Sequence, residues 1–258
     1  MSEPAWLWSN PALRADGDRP LLFYAELDLP SLRHGIAVFK DVPGGVDYRV
    51  WAETADRFLR SYLSPAPESV LVPRQVHSSV VIDGDRWPRD VPVGDAVVTA
   101  RPLAAIGISV SDCIPLFAVD VGCGVVGLAH CGWRGIAGGM VERFAGALEA
   151  KGAKMTGTVF HIGASVGQCC YEVGEDFLAC FPADEVRKHS RSAGRSVMFD
   201  LKGVVVSRLM TLGAAAGRIS VDKTCTSCQK YLLSSYRADG RGCGRMLAFL
   251  MLTGSGRK

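Results

Sequence analysis

The sequence predicts a mixed α/β fold of the α+β kind, built as one domain over residues 1–258. Three observations lead there. Short runs of β-branched and apolar residues recur through the middle of the chain, three stretches carry helical spacing, and the two patterns do not alternate regularly. No internal repeat, low-complexity tract or block of like charge marks a linker that would divide the chain.

Along the chain, helical spacing comes first at 52–62, where Ala55, Phe58, Leu59 and Tyr62 share one face. Strand-like runs follow at 69–71, 80–82, 96–99, 105–110, 116–119 and 125–129. The Asp120-Val121-Gly122-Cys123-Gly124 cluster is turn chemistry, so 115–130 reads as a hairpin. A second helix is expected over 139–150, with Val141, Phe144, Ala145 and Leu148 on one side, and then a strand over 158–162. A third helix, 201–215, follows Asp200 as its N-cap, and 248–252 is the last strand. Residues 1–20, 64–69, 83–94 and the final Gly-Ser-Gly-Arg-Lys read as the least structured parts.

Composition excludes several classes. Lys plus Arg number 29 against 26 Asp plus Glu, so there is no electrostatic footprint for nucleic acid or an anionic membrane. No window approaches ~20 uninterrupted apolar residues, and the first residues lack a charged start followed by an apolar stretch. The expectation is a cytoplasmic protein. Nine cysteines cannot all pair within one chain, and without a secretion signal reduced thiols are the default. They must be core filler, metal ligands or nucleophiles.

The richest segment is Ser111-Asp112-Cys113-Ile114-Pro115, followed after the hairpin by Ala129-His130-Cys131-Gly132-Trp133-Arg134-Gly135. Cys113 sits at a break between two apolar strands and His130 at the end of a third, so one sheet rim can present both. Upstream, Gln75-Val76-His77 adds a second imidazole. His77, Cys113 and His130 lie 36 and 17 residues apart, unlike a zinc finger, whose ligand pairs are closely spaced. Two imidazoles and a thiolate can form an open three-ligand zinc site, with Asp112 near enough to orient a ligand or accept a proton. The same residues can form a Cys–His nucleophilic dyad, and spacing does not separate the two.

Other motifs carry weaker signals. Residues 132–139 are glycine-dense before a helix, which suits either an anion cradle with Arg134 beside it or a tight turn. Cys225-Thr226-Ser227-Cys228 stands without a second C-x-x-C pair, a weak signal for zinc or redox work, and with Cys169-Cys170 it reads first as structural packing. Arg237 lies in a polar turn, 235–242, before the last strand.

The chain resembles the YfiH-type proteins, also called laccase-domain or polyphenol-oxidase-like proteins and regarded as purine nucleoside phosphorylases. Besides the three strings above, the resemblance rests on Gly94-Asp95-Ala96-Val97-Val98-Thr99, His161-Ile162-Gly163-Ala164-Ser165-Val166-Gly167, Tyr171-Glu172-Val173-Gly174, Asp200-Leu201, Cys225-Thr226 and Ser235-Tyr236-Arg237-Ala238-Asp239-Gly240, in family order over roughly 70–252. It implies a four-layer α/β/β/α fold and one zinc ion on His77, Cys113 and His130. It also implies phosphorolysis of adenosine, inosine, guanosine and methylthioadenosine, and deamination of adenosine, so the expected partners are purine nucleosides and phosphate. The chain departs from the family near its start, where an arginine motif is replaced by residues 34–41 with Lys40 as the nearest cation.

On this reading Asp112 and Cys113 are the catalytic candidates, and Arg134 and Arg237 the substrate or phosphate contacts. A Cys–His hydrolase acting on an amide, such as a misincorporated serine in a peptidoglycan precursor, is the alternative. The copper polyphenol oxidase implied by the older name needs roughly eight or more imidazoles in His-x-His pairs; the chain has five and no such pair.

Overall fold

The structure is a computed structural model that describes residues 7–9, 12–16 and 19–254. Its strands are, in chain order, β1 (Leu7–Ser9), β2 (Ala12–Asp16), β3 (Arg19–Phe23), β4 (Leu32–Phe39), β5 (Ser69–Leu71), β6 (Val81–Asp83), β7 (Ala96–Thr99) and β8 (Ala104–Val110). They continue with β9 (Ile114–Asp120), β10 (Val125–Cys131), β11 (Val159–Ile162), β12 (Glu172–Val173), β13 (Ser190–Ala193), β14 (Ser196–Phe199), β15 (Ile219–Asp222) and β16 (Arg245–Leu252). The helices are α1 (Tyr48–Tyr62), α2 (Trp133–Ala137), α3 (Met140–Ala150), α4 (Glu175–Leu178), α5 (Ala183–His189), α6 (Leu201–Thr211) and α7 (Tyr236–Asp239).

Two large mixed sheets form the centre. One runs β1-β15-β11-β9-β10-β7-β6 and the other β2-β3-β4-β16-β8-β5, with a small sheet β12-β14-β13 beside them. Residue alternation along each strand explains the layers, because successive side chains point to opposite faces. On β16, Met246, Ala248 and Leu250 join the core between the sheets with Ile36, Ile106, Phe117 and Leu128. Their neighbours Leu247, Phe249 and Met251 face the other way, onto Trp51, Ala55, Phe58 and Leu59 of α1. On β9, Leu116 and Ala118 pack instead against Phe144 and Leu148 of α3 and Val205 and Leu209 of α6. The result is the expected α/β/β/α stack. Each fully buried large side chain in it contributes on the order of 1.5–3 kcal/mol of transfer free energy.

Local chemistry sets the helix ends. Asp47 caps α1 by accepting from the Arg49 N–H at 2.8 Å, so that helix begins four residues before the expected start. Asp200 caps α6 as expected, accepting from the Gly203 N–H at 3.0 Å, but the helix ends at Thr211 rather than 215. Leu212 and Gly213, the latter at φ 91°, close it with C-terminal bonds to Arg208 and Met210. The expected hairpin is β9–β10, with Val125 opposite Asp120 and Cys131 opposite Ile114.

The start of the chain is richer in strand than expected: β1, β2 and the beginning of β3 fall within 1–20, and the rest of that stretch, with 255–258, lies outside the described residues. No described helix is long and apolar enough to cross a membrane.

The path of the chain between the sheets positions the functional residues. It leaves β8 of one sheet and enters β9 of the other across residues 111–113, and it passes from β5 to β6 through 72–80. Both crossings arrive at the same rim, where β10 ends.

Candidate metal centre and substrate cavity

His77, Cys113 and His130 meet at this rim, with their donor atoms all within 4.8 Å of one another. The antiparallel register sets Cys113 beside His130, since Pro115 is the Cα partner of His130 and Ile114 that of Cys131. Cys113 Sγ lies 3.9 Å from His77 Nε2, and the two imidazole rings meet edge to face at 4.8 Å. A tetrahedral zinc with ordinary Zn–S and Zn–N bonds would separate such a pair by about 3.6 Å. The residues of the crossings adopt the conformation this requires: His77 and Asp112 have left-handed φ of 59° and 79°.

Asp95 organises the site from beneath. This fully buried carboxylate sits at the foot of β7 and accepts from His130 Nδ1 at 2.9 Å, from the His77 N–H at 2.9 Å and from the Ser78 N–H and hydroxyl, both at 2.7 Å. The bond to Nδ1 fixes the His130 ring so that Nε2 is its outward donor, the arrangement that carboxylates impose on metal-binding histidines. Sequence reasoning used Asp95 only as part of a family string. The available signal was a carboxylate directly before the apolar run 96–99, where burial must be matched by hydrogen bonds.

Burial opposes charge on all three central groups, and their mutual interactions outweigh it. The hydrogen bonds from His130 and Ser78 hold the Asp95 carboxyl down at about 2. The charge and hydrogen bond of His130, with the His77 contact, bring the Cys113 thiol down to about 6. Thiolate charge and the Asp95 bond raise His130 to about 9. In the metal-free protein this is a thiolate facing an imidazolium. A soft divalent cation suits the donor set, because it replaces the imidazolium as the thiolate's counter-charge. Gly132 provides the room: a Cβ there would lie 2.9 Å from His77 Cδ2 and 3.2 Å from Cys113 Sγ.

The three donors open into a cavity of about 1010 Å³. Five arginines line it, Arg74, Arg134, Arg237, Arg241 and Arg245, together with Tyr48, Trp51, Trp133, Tyr171 and Tyr236. Asp112 is the only acid among the described lining residues. Its two carboxylate oxygens accept from Thr226 Oγ1 at 2.5 Å and from the Arg237 N–H at 2.6 Å. The guanidinium of Arg134 lies 4.3 Å over the Trp133 ring, and that of Arg237 lies 5.4 Å over Tyr171 while bonding the Glu172 carbonyl at 2.7 Å. Arg245 is tied to Ser109 Oγ at 3.0 Å and to the Gly44 carbonyl at 2.5 Å. Lys40 points elsewhere, donating to the carbonyls of Lys230 and Leu233. The glycine-dense stretch after His130 folds as the short helix α2, and a Cβ on Gly135 would meet the Ser78 carbonyl oxygen at 2.7 Å.

Residues 47–253 match the family described as "Multi-copper polyphenol oxidoreductase laccase". Purine nucleoside phosphorylase YlmD of Geobacillus stearothermophilus is 31% identical over 166 residues, covering 62% of this chain and 60% of that protein, so the match spans less than two thirds of the relative. Purine nucleoside phosphorylase SCO2081 of Streptomyces coelicolor is 32% identical over 232 residues, or 89% of each chain. Adenosine deaminase RL5, from an unknown prokaryotic organism, is 26% identical over 250 residues, covering 85% of this chain and 95% of that one. The crystal structure of the Geobacillus YlmD has the same fold, with a TM-score of 0.78 at 23% identity over 95% of this chain and 100% of that one.

Proposed function

The chain belongs to the YfiH-type laccase-domain family, and on that premise we propose that it is a zinc-dependent purine nucleoside phosphorylase with adenosine deaminase activity. The observation that carries the proposal is the opening of a two-imidazole, one-thiolate donor set into a cavity with five arginines and one acid. A cavity at the upper end of the ~300–1,000 Å³ range holds a nucleoside and an anion together. The aromatic walls suit a purine face, and the arginines suit phosphate.

His77, Cys113 and His130 would hold the zinc, which would supply Lewis acidity at the cavity floor. The protein's own residues do the rest. Asp95 keeps the proton on His130 Nδ1 and so keeps Nε2 as donor. Arg134 and Arg237, each held over an aromatic ring, position phosphate for attack at ribose C1′. Asp112 moves protons at the purine during deamination, oriented for this by Thr226 and the Arg237 backbone.

Copper oxidase chemistry is disfavoured by where the histidines lie. His34 accepts from the Tyr24 N–H, His161 bonds Ser220 in the core between the sheets, and His189 bonds Ser207 on α6, which leaves two imidazoles at the rim. A Cys–His hydrolase has one observation in its favour, the low thiol pKa of Cys113.

The test is product analysis with adenosine. Adenine and ribose 1-phosphate are expected with phosphate present, and inosine without it. Arg134→Ala should raise the KM for phosphate by about tenfold or more, the loss of a charge-assisted contact, while leaving deamination within about threefold. Absence of both products from zinc-loaded protein, with a covalent adduct forming at Cys113 during amide turnover, would favour the hydrolase.

A further inference from the structure

Four cysteines gather outside the cavity lining, beside Thr226, the residue that bonds Asp112. Cys169 and Cys170 come from the turn before β12, and Cys225 and Cys228 from the loop after β15. Their sulfurs all lie within 4.8 Å of one another, and each of the four is a free thiol. Sequence reasoning assigned both pairs to packing, because a gap of nearly sixty residues hides their meeting.

The distances identify what the cluster suits. Cys228 Sγ is 3.6 Å from Cys169 Sγ and 3.4 Å from Cys170 Sγ. Four sulfurs at ~2.3 Å from one tetrahedral zinc stand about 3.8 Å apart. A disulfide requires one sulfur pair at ~2.05 Å, whereas Cys228 is shared almost equally between two partners. An iron–sulfur cluster would hold its cysteines further apart than a single ion does, because inorganic sulfide and several irons lie between them.

The surroundings fit a thiolate centre. The Gly167 N–H donates to Cys225 Sγ at 3.2 Å, and the Cys228 backbone N–H also faces that sulfur. Gly167 lets the loops close: a Cβ there would stand 3.2 Å from Cys225 Cβ and 3.3 Å from Cys169 Sγ. The Ser165–Cys225 bridge and the bond from the Thr226 N–H to the Ser165 carbonyl hold the two loops in register. Lys202, buried beside the cluster, donates to the carbonyls of Asp222 and Thr224 and so fixes the start of the loop that carries Cys225 and Cys228.

We propose that Cys169, Cys170, Cys225 and Cys228 form a second, closed metal site for one tetrahedral soft divalent cation, zinc by preference, which fixes the wall of the substrate cavity. Binding releases the four thiol protons to solvent and involves no oxidant. All four positions are filled by protein, so the site takes no substrate and its role is structural. It clasps the loop that leads to Tyr171 and Glu172 onto the loop that leads to Arg237. Thr226, within the C-x-x-C, is the residue that holds Asp112. This inference does not rest on the catalytic reading, and the experiment separates the two.

Metal content is measured on full-length protein purified under reducing conditions and loaded with zinc or cobalt. The parent should hold one equivalent more than Cys228→Ser and one more than His130→Ala. Cobalt-loaded His130→Ala should keep the intense near-ultraviolet thiolate-to-cobalt charge transfer of a tetrahedral sulfur site. Cys225→Ser and Cys228→Ser should lose most of that band while keeping the contribution of Cys113. Because a cysteine variant can fail to fold, alkylation of the parent gives a second readout: zinc should slow labelling of Cys169 and Cys228, both exposed, by at least tenfold in mass-resolved peptides. Equal metal content in Cys228→Ser and parent, or labelling of these two thiols indifferent to zinc, would overturn the proposal. Loss of one equivalent in His130→Ala alone leaves the catalytic site standing and removes this one.

Discussion

Cys113 lies between two imidazoles and above a buried carboxylate, and its acidity follows from that arrangement. In the metal-free protein its thiol ionises near pH 6, so alkylation by iodoacetamide should rise with pH through about 6 and level off above it, whereas an ordinary thiol would keep rising past ~8. Zinc should abolish the reaction across that range by occupying the thiolate. A profile centred near 8 in metal-free protein would show that His130 and His77 do not act on this sulfur. At this scale the sequence was informative where side-chain identity is chemistry: His77, Cys113 and His130 stand out as strand-end donors. Asp95 did not, because a carboxylate beneath a site has no spacing rule to reveal it. For the four clustered cysteines, the Cys225–Cys228 spacing was visible, but its partners lie in another loop.

Elements of strong periodicity were legible. The unbroken apolar runs of β8, β9, β10 and β16 follow from burial on both faces, and the single apolar faces of α1 and α3 from burial on one. The strand β4 was missed, since His34 and Gly35 interrupt its apolar run, although all but one of its eight residues are buried. Gly35 is needed there: at φ 155° it lets the Phe249 ring approach, and a Cβ would sit 2.9 Å from both that ring and the Leu22 carbonyl oxygen. Helix α3 makes a comparable demand on β10. A Cβ on Gly127 would fall 2.7 Å from two atoms of the Phe144 ring, so Gly127→Ala should destabilise the protein by about 1–3 kcal/mol, as overpacking does. Adding Phe144→Leu should restore part of that loss in a double-mutant cycle read by urea denaturation. If the two effects simply add, the helix and strand are not in the contact described.

For the molecule as a whole, the four layers were implied by family resemblance and not by the pattern of elements, which does not say which sheet a strand joins. Strand order is non-local: β16 lies between β4 and β8, and β9 between β10 and β11. Such pairing is decided by the fit of whole faces after collapse, and no short window of sequence contains it.

The two crossings between the sheets have one more consequence. His77 and Cys113 stand on the strokes that carry the chain from one sheet to the other, and His130 on β10 of the sheet that receives them. An ion held by all three recognises only the chain in which both sheets have docked, and its binding is therefore linked to the folding equilibrium. Melting temperature should climb with the logarithm of free zinc, the stabilisation reaching about 2.7 kcal/mol at one hundred times the dissociation constant. In Gly132→Ala, whose Cβ would crowd the donors, the slope attributable to this site should vanish while the fold persists. The proposed catalytic centre would then also act as the rivet that records whether the sandwich is closed.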